Sequence, residues 1–171
     1  MTMLQETIRS LGGVAARREL LASGHDDDEI RMAADYRSIE RVRNGWYVLP
    51  GGAPHVLRAW RVGGRLACVS ALNHWGYALP DNGNLHVCVA AHSVRLRHPE
   101  FKRVRLRDRD VSNLITHWDD ARSMDQLPSG RRVAVSVAAA LDQLLRCPRA
   151  VEAAAMVPGA GLRMPVGERN R

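Results

Sequence analysis

The dipeptide Asn44-Gly45 is the feature that most constrains how this chain can fold. It stands between two short runs of strand-forming residues, Ile39–Val42 and Trp46–Leu49. Asn and Gly both tolerate positive φ, which the central positions of a tight hairpin turn require. The sequence therefore predicts a β-hairpin with arginines beside its tip.

Three helical patterns precede this hairpin. Apolar residues recur at helical spacing over residues 4–11, and a second short helix is expected at about residues 15–22. A third helix is expected to begin in an acidic run, with Asp26 or Asp27 as its N-cap and Ile30 on its buried face. Three short helices followed by a hairpin are the element order of a winged helix-turn-helix. In such a domain the third helix enters a major groove and the hairpin tip meets the flanking backbone.

A second domain is expected after Pro50-Gly51-Gly52, so the predicted fold class is α+β. An N-terminal winged helix-turn-helix at residues 1–50 would precede a small α/β domain at residues 53–160, with a short antiparallel sheet and C-terminal helices. The patterns behind the second domain are two glycine-stopped helices (54–64 and 66–80), strands at 84–90 and 101–108, and Ala-rich helices at 131–147 and 149–157. The tail at residues 161–171 lacks periodicity and is expected to be flexible.

The charge distribution favours an anionic partner. The formal net charge is +7, and residues 1–50 hold seven Arg against eight acidic residues, whereas the remainder holds 18 basic against 10 acidic residues. A basic protein of this size points first to nucleic acid. No apolar run approaches the roughly 18 residues of a membrane helix, and the N-terminus lacks a signal peptide's apolar segment. The expected location is therefore cytoplasmic, without a membrane partner.

The run "RLRHPEFKRVRLRDRD" is the most distinctive electrostatic feature, because residues 95–109 carry seven basic residues against two acidic ones. On a strand, Arg103, Arg105 and Arg107 would share one face while Val104 and Leu106 point to the other. One interpretation is a strand with a solvated face. The other is a second basic surface, including Lys102, that contacts DNA or an acidic protein. A row of like charges repels itself without an anionic partner, which slightly favours the second interpretation.

The candidate DNA contacts are arginines around the third helix and the hairpin. Arg31 is the candidate base or phosphate contact on the third helix. The acidic run beside it is unfavourable near phosphates unless it caps the helix and pairs with Arg31. The other candidate phosphate contacts are Arg17, Arg18, Arg37, Arg41, Arg43 and Asn44.

Neither a metal site, a cofactor nor a catalytic site is expected. His86, Cys88, His92 and His98 lie near one another in sequence, but without the close paired spacing of structural zinc sites. The three cysteines are odd in number and widely spaced, so they indicate no disulfide framework. No Gly-rich phosphate loop and no nucleophile elbow is present, so an enzyme is not expected.

Four segments together resemble the AbiEi-type antitoxins of abortive-infection toxin–antitoxin systems. They are "GGVAARRELLASG", "EIRMAADYRSIERVRNGWYVLPG", "GGRLACVSALNHWGYALP" and "LHVCVA", and they cover about residues 10–90. The resemblance implies a winged-helix DNA-binding domain, an α/β domain, and autoregulation through repeats in the promoter. In true antitoxins it also implies neutralisation of a nucleotidyltransferase toxin.

Two functional hypotheses follow. The first is a sequence-specific regulator that binds double-stranded DNA at promoter or operator repeats and represses its own or a neighbouring operon. The second is an antitoxin or phage-exclusion protein that acts by binding an acidic protein partner, such as a nucleotidyltransferase toxin.

Overall fold

The structure, a computed structural model, describes residues 1–80, 83–119 and 131–150. Over these residues the fold is mixed α+β, as expected, with two three-stranded sheets. The expected helix at 149–157 falls mostly, and the tail at 161–171 entirely, outside the described residues. No helix in the described part of the chain has the length and apolar character needed to cross a bilayer.

The first 50 residues fold as three helices around an antiparallel sheet with strand order β1-β3-β2. Asp26 accepts a hydrogen bond from the backbone N–H of Glu29 at 2.7 Å, which confirms the expected N-cap of the third helix. The second helix begins two residues later than expected, because the preceding residues pair with the hairpin as a strand. The elements are α1 (Met3–Ser10), β1 (Val14–Ala16), α2 (Arg17–Ala22), α3 (Asp27–Asp35), β2 (Glu40–Arg43) and β3 (Trp46–Val48).

The predicted hairpin is confirmed, with two local refinements. β2 and β3 pair antiparallel, and Arg43 faces Trp46 across the turn. Of the two turn residues only Gly45 has positive φ, at 73°. The register shifts between Arg41 and Arg43, which is the irregularity of a β-bulge. The bulge therefore breaks the strict alternation of side chains along β2.

The second half of the described chain contains helices packed on a mixed sheet with strand order β4-β5-β6. β4 pairs antiparallel with β5, but β5 pairs parallel with β6, so the expectation of an antiparallel sheet was wrong. β6 had not been predicted. The elements are α4 (Pro54–Val62), β4 (Arg65–Leu66), α5 (Cys68–His74), β5 (Leu85–Ala90), a short 3-10 helix (Leu106–Asp108), β6 (Leu114–Asp119) and α6 (Val137–Arg146).

The predicted strand at residues 101–108 was also wrong. This run is a loop that contains a turn, a single bridge between Arg97 and Arg105, and the 3-10 helix. The loop closes on itself because the N–H of Val104 donates to the carbonyl of Phe101 at 2.9 Å. Alternating residues form a strand only where a neighbouring strand accepts their backbone hydrogen bonds.

The final described helix starts later than its Ala-rich pattern indicated. Ser136 caps α6, and the preceding residues run beside β4, where the N–H of Leu66 donates to Val133 and the N–H of Val135 donates to Leu66, both at 2.9 Å. The Ala-rich run therefore divides into an extended segment and a helix.

The two halves of the chain share an apolar cluster. Trp46 of β3 and Trp60 of α4 lie with ring centroids 4.7 Å apart, and Val14, Val42 and Val48 surround them. The division of the chain into domains after residue 50 stays a prediction. The hairpin is held against the second half by this cluster.

Candidate nucleic-acid interface

An open groove of about 980 Å³ lies beside α3 and the hairpin, and we call it the hairpin groove. Its walls come from three separate parts of the sequence: α2 and α3, the hairpin, and the loop after residue 101. Members of both predicted sets of basic residues therefore meet at one surface. The cationic side chains that line it are Arg17, Arg31, Arg37, Arg41, Lys102 and Arg103, and the acidic ones are Asp27, Asp35 and Glu40.

Ion pairs offset much of the negative charge in the hairpin groove. Arg17 pairs with Asp27, with Nε 2.7 Å from Oδ1. Glu40 accepts from Arg61 at 2.8 Å. On the adjoining face of α3, Arg31 donates to the carboxylate of Asp28 at 2.7 Å, which confirms the expected pairing three residues apart. The Arg31–Asp28 pair is 69% and 80% exposed, and exposed pairs are worth at most about 1 kcal/mol, so a phosphate can replace the carboxylate.

Arg37 follows the end of α3 in an unusual backbone conformation. Its φ is 57°, and its N–H donates to the carbonyl of Ala34 at 3.2 Å. Glycine is the residue that adopts this left-handed conformation without strain at a helix end. The end of α3 therefore fixes the backbone of Arg37, and its side chain is exposed beside the helix.

The hairpin arginines differ in their surroundings. Arg41 is exposed at the tip, where its guanidinium donates to the side-chain oxygen of Asn44. Arg43 points into the protein, and its guanidinium donates to the carbonyls of Val62 at 3.1 Å and Arg95 at 3.0 Å. Arg43 therefore ties the hairpin to the end of α4, while Arg41 and Asn44 face the solvent.

Arg18 lies on the exposed side of α2 and does not line the hairpin groove. Burial raises the pKa of the neighbouring Glu19, but hydrogen bonds from Arg132 and the Ala16 backbone and the charge of Arg132 lower it overall, with a smaller contribution from the charge of Arg18. Of the DNA contacts predicted around the third helix and the hairpin, three do not line the hairpin groove: Arg18, Arg43 and Asn44.

A second depression of about 670 Å³ lies on the far side of the same loop, and we call it the arginine groove. Four arginines line it, Arg95, Arg97, Arg105 and Arg107, and its lining contains no acidic residue. Planar guanidinium groups match phosphate and carboxylate oxygens in a bidentate way. The loop thus contributes Lys102 and Arg103 to one groove, and Arg105 and Arg107 to the other. Arg95 and Arg97 belong to the basic run that the sequence analysis identified, although they were not among its named contact residues.

A separate cluster of potential metal ligands lies beside β5 and β6. The donor atoms of Cys68, His86, His117 and Cys147 all lie within 4.8 Å of one another. Burial raises the pKa of the Cys68 thiol to about 12 and lowers the pKa of His117. Of these four residues only His86 was among the metal-ligand candidates from sequence, because no short spacing links it to the other three.

No protein-family model matches the chain, and no curated protein is significantly similar to it. The resemblance to AbiEi-type antitoxins stays a prediction.

Proposed function

We propose that this protein binds double-stranded DNA at promoter or operator repeats and represses its own or a neighbouring operon, in the manner of an AbiEi-type antitoxin. The observation that carries the proposal is the convergence of six cationic side chains from three chain segments on the hairpin groove. Most are exposed guanidinium groups, the groups that proteins use to grip a phosphate backbone.

The fold supports the same proposal. Three helices, a β1-β3-β2 sheet and a terminal hairpin are the elements expected of a winged helix-turn-helix. In that arrangement α3 approaches the major groove and the hairpin is the wing. Arg31 would then reach a base edge or phosphate, while Arg37, Arg41, Lys102 and Arg103 would neutralise phosphates along the flanking backbone.

The acidic first turn of α3 determines how the helix would approach DNA. Asp27, Asp28 and Glu29 would repel phosphates if that end of the helix entered the groove first. The basic residues on the hairpin and the loop would carry most of the backbone contact instead. The arginine groove would extend this footprint through Arg105 and Arg107.

A salt-titrated binding assay with the DNA upstream of the gene tests this proposal. Each lost phosphate contact lowers the slope of log K against log salt by about 0.9 for duplex DNA. We expect Arg41→Ala and Arg103→Ala each to weaken binding on every sequence and to lower the slope by about that amount. Arg146→Ala is the matched control, because this exposed arginine pairs with Asp142 on α6 and lines neither groove.

Two further variants separate DNA contact from folding. Arg37→Gly removes a charge and also relieves the left-handed backbone, so it should weaken DNA binding without lowering stability. Arg43→Ala should lower stability and leave the salt slope unchanged, because its guanidinium is bound to backbone carbonyls. The absence of a specific complex at low salt, or wild-type slopes for both Arg41→Ala and Arg103→Ala, would overturn the proposal.

A second candidate function is binding to an acidic protein such as a nucleotidyltransferase toxin. The observation that favours it is Val94, which is 90% exposed among the four arginines of the arginine groove. An exposed apolar side chain in a groove that four arginines also line suits a protein surface better than a phosphate backbone. If this function holds, Val94→Ser should weaken co-purification with a nucleotidyltransferase encoded beside the gene and leave DNA binding unchanged.

A further inference from the structure

We propose that Cys68, His86, His117 and Cys147 bind one zinc ion through two thiolates and two imidazole nitrogens, and that this ion holds the second half of the chain together. The proposal is independent of DNA binding, since none of the four residues lines either basic groove.

The donor atoms have the spacing that tetrahedral zinc requires. Zinc bonds of about 2.3 Å to sulfur and about 2.0–2.1 Å to nitrogen place neighbouring donors roughly 3.3–3.8 Å apart. Here Nδ1 of His86 lies 3.0 Å from Nε2 of His117 and 3.9 Å from Sγ of Cys147. All four donors lie within 4.8 Å of one another, so shifts of a few tenths of an ångström to about one ångström complete the tetrahedron.

The ligand set selects the metal. Two sulfur and two nitrogen donors in tetrahedral array are typical of zinc, whereas magnesium and calcium require oxygen ligands. Four protein ligands leave no open coordination position, which is the mark of a structural rather than a catalytic site. The site is therefore expected to stabilise the fold without taking part in a reaction.

The cluster lies in surroundings that are otherwise apolar. Cys68, His86 and Cys147 are 0%, 1% and 5% exposed, and Leu72 and Ala140 belong to the same apolar core. Inside this core the four side chains contact one another, with a hydrogen bond of 3.0 Å between Nδ1 of His86 and Nε2 of His117. A bound Zn²⁺ ion would balance the negative charge of two thiolates and would accept the nitrogen lone pairs of two neutral imidazoles.

Hydrogen bonds around the cluster orient the ligands. The N–H of Cys68 donates to Oε1 of Gln143 at 3.0 Å, and the N–H of His86 donates to Oγ of Ser70 at 2.9 Å. Such outer contacts hold metal ligands in position.

The backbone of Cys68 is a second, independent indication. Its φ is 46°, a left-handed conformation that costs a residue with a β-carbon roughly 1–3 kcal/mol. Strained backbone of this kind concentrates at functional sites because the surrounding structure has to maintain it. Here it occurs at the first residue of α5, at the residue whose sulfur completes the cluster.

The four ligands come from four different secondary-structure elements, so a bound ion would join these elements to one another. Cys68 begins α5, His86 lies in β5, His117 lies in β6, and Cys147 directly follows α6. The β5–β6 register pairs Cys88 with His117, so His86 and His117 project from the same face of the sheet. One ion therefore ties β6 and the end of α6 to the α5–β5 core.

The test is metal binding by the full chain. Protein purified without added metal should contain about one zinc per chain by elemental analysis. Metal-free protein should bind one equivalent of Co²⁺ with a thiolate-to-cobalt charge-transfer band and the intense visible bands of tetrahedral cobalt. Removal of the metal should lower the thermal midpoint by roughly 10 °C or more. Weak octahedral cobalt bands, or no binding at one equivalent, would overturn the proposal.

Matched variants assign the ligands. Cys147→Ser and His117→Gln should each weaken zinc affinity roughly 100-fold or more and remove or shift the cobalt bands. The control for the first is Cys88→Ser, a buried cysteine that lies outside the cluster and contacts Asp119 at 3.7 Å. The control for the second is His92→Gln, at an exposed histidine. If a ligand variant does not fold, the wild-type cobalt spectrum still decides. Equal losses in the controls would overturn the assignment.

Discussion

Replacing Glu19 by Gln tests how the two halves of the chain are held together. Glu19 of α2 accepts two hydrogen bonds from Arg132, with Nη1 2.7 Å from Oε2 and Nη2 2.6 Å from Oε1. Arg132 is 3% exposed, and its guanidinium lies 5.2 Å from the ring centroid of Trp46. Glu19→Gln keeps the side-chain volume and removes the carboxylate charge that pairs with the buried guanidinium.

The expected loss is about 3 kcal/mol of unfolding free energy. Breaking a buried ion pair by removing one partner costs about 3–5 kcal/mol, because the remaining charge stays desolvated. The Glu19 side chain is 23% exposed, so water partly solvates the site and the lower end of that range applies. For a chain of this length, about 3 kcal/mol corresponds to a thermal midpoint roughly 6–12 °C lower.

Urea unfolding with a double-mutant cycle measures this loss directly. Arg132→Met removes the buried positive charge as well, so the double variant should be more stable than Glu19→Gln alone. The matched control is Asp142→Asn, which breaks the exposed pair with Arg146 and should change stability by less than about 0.5 kcal/mol.

The pH dependence gives a second check. Burial opposes ionisation of Glu19, but hydrogen bonds from Arg132 and from the backbone of Ala16, with the charge of Arg132, lower its pKa below 4.5. A lowered folded-state pKa means that this stabilisation is complete above pH 4.5 and is lost as the pH falls through the folded value. The difference in unfolding free energy between wild type and Glu19→Gln should therefore become smaller at acidic pH. A loss under 1 kcal/mol, or a difference that persists in acid, would refute the reasoning.

Two further substitutions test local packing and capping. Gly64→Ala would place a β-carbon 2.1 Å from the carbonyl oxygen of Cys88, so we expect a loss of about 3 kcal/mol in urea unfolding. Gly52→Ala, whose nearest neighbour would be 3.6 Å away, should be near neutral, and equal effects would contradict the steric argument. Ser136→Ala removes the N-cap of α6 and should cost about 1 kcal/mol, whereas Ser136→Asp should retain stability. A smaller loss in Ser136→Ala than in Ser136→Asp would reject the cap.

The elements that rest on near neighbours were the ones the sequence predicted. Asp26 caps α3 through a residue three positions away, and Asn44-Gly45 closes the hairpin within a few residues. Such contacts form wherever the local sequence occurs, because they need no partner from elsewhere in the chain. The hairpin and the three N-terminal helices could therefore be predicted.

The strands that depend on distant partners could not be predicted. β1 is only three residues long and exists because β3 folds back beside it. β6 is held by its parallel pairing to β5, a strand distant from it in sequence. In contrast, residues 101–108 have the alternation of a strand, but over the described residues their pairing is limited to the bridge between Arg105 and Arg97. Alternation describes which side chains suit two faces, and pairing decides whether a sheet forms.

The candidate DNA-contacting residues also combine features that the sequence predicts with features that depend on strand pairing. Charge and composition were sufficient to select the arginines around the hairpin and the loop. Alternation along β2 would put Arg41 and Arg43 on the same face, yet the bulge between them separates their environments. Arg41 is exposed, whereas Arg43 binds the carbonyl of Val62. A bulge depends on how two strands pair, so the sequence pattern alone does not reveal it.

By itself the sequence determined the α+β class, the hairpin, the helix caps and the excess of positive charge, because each depends on residue type and short spacing. Only the tertiary structure decided which residues meet. His86 lies 31 residues from His117 and 61 from Cys147, yet their donor atoms lie 3.0 and 3.9 Å apart. Contacts at such separations arise from the packing of helices on a sheet, which no local pattern records. The same packing joins Lys102 to the hairpin through the carbonyl of Arg41, and so creates one basic surface from two distant segments.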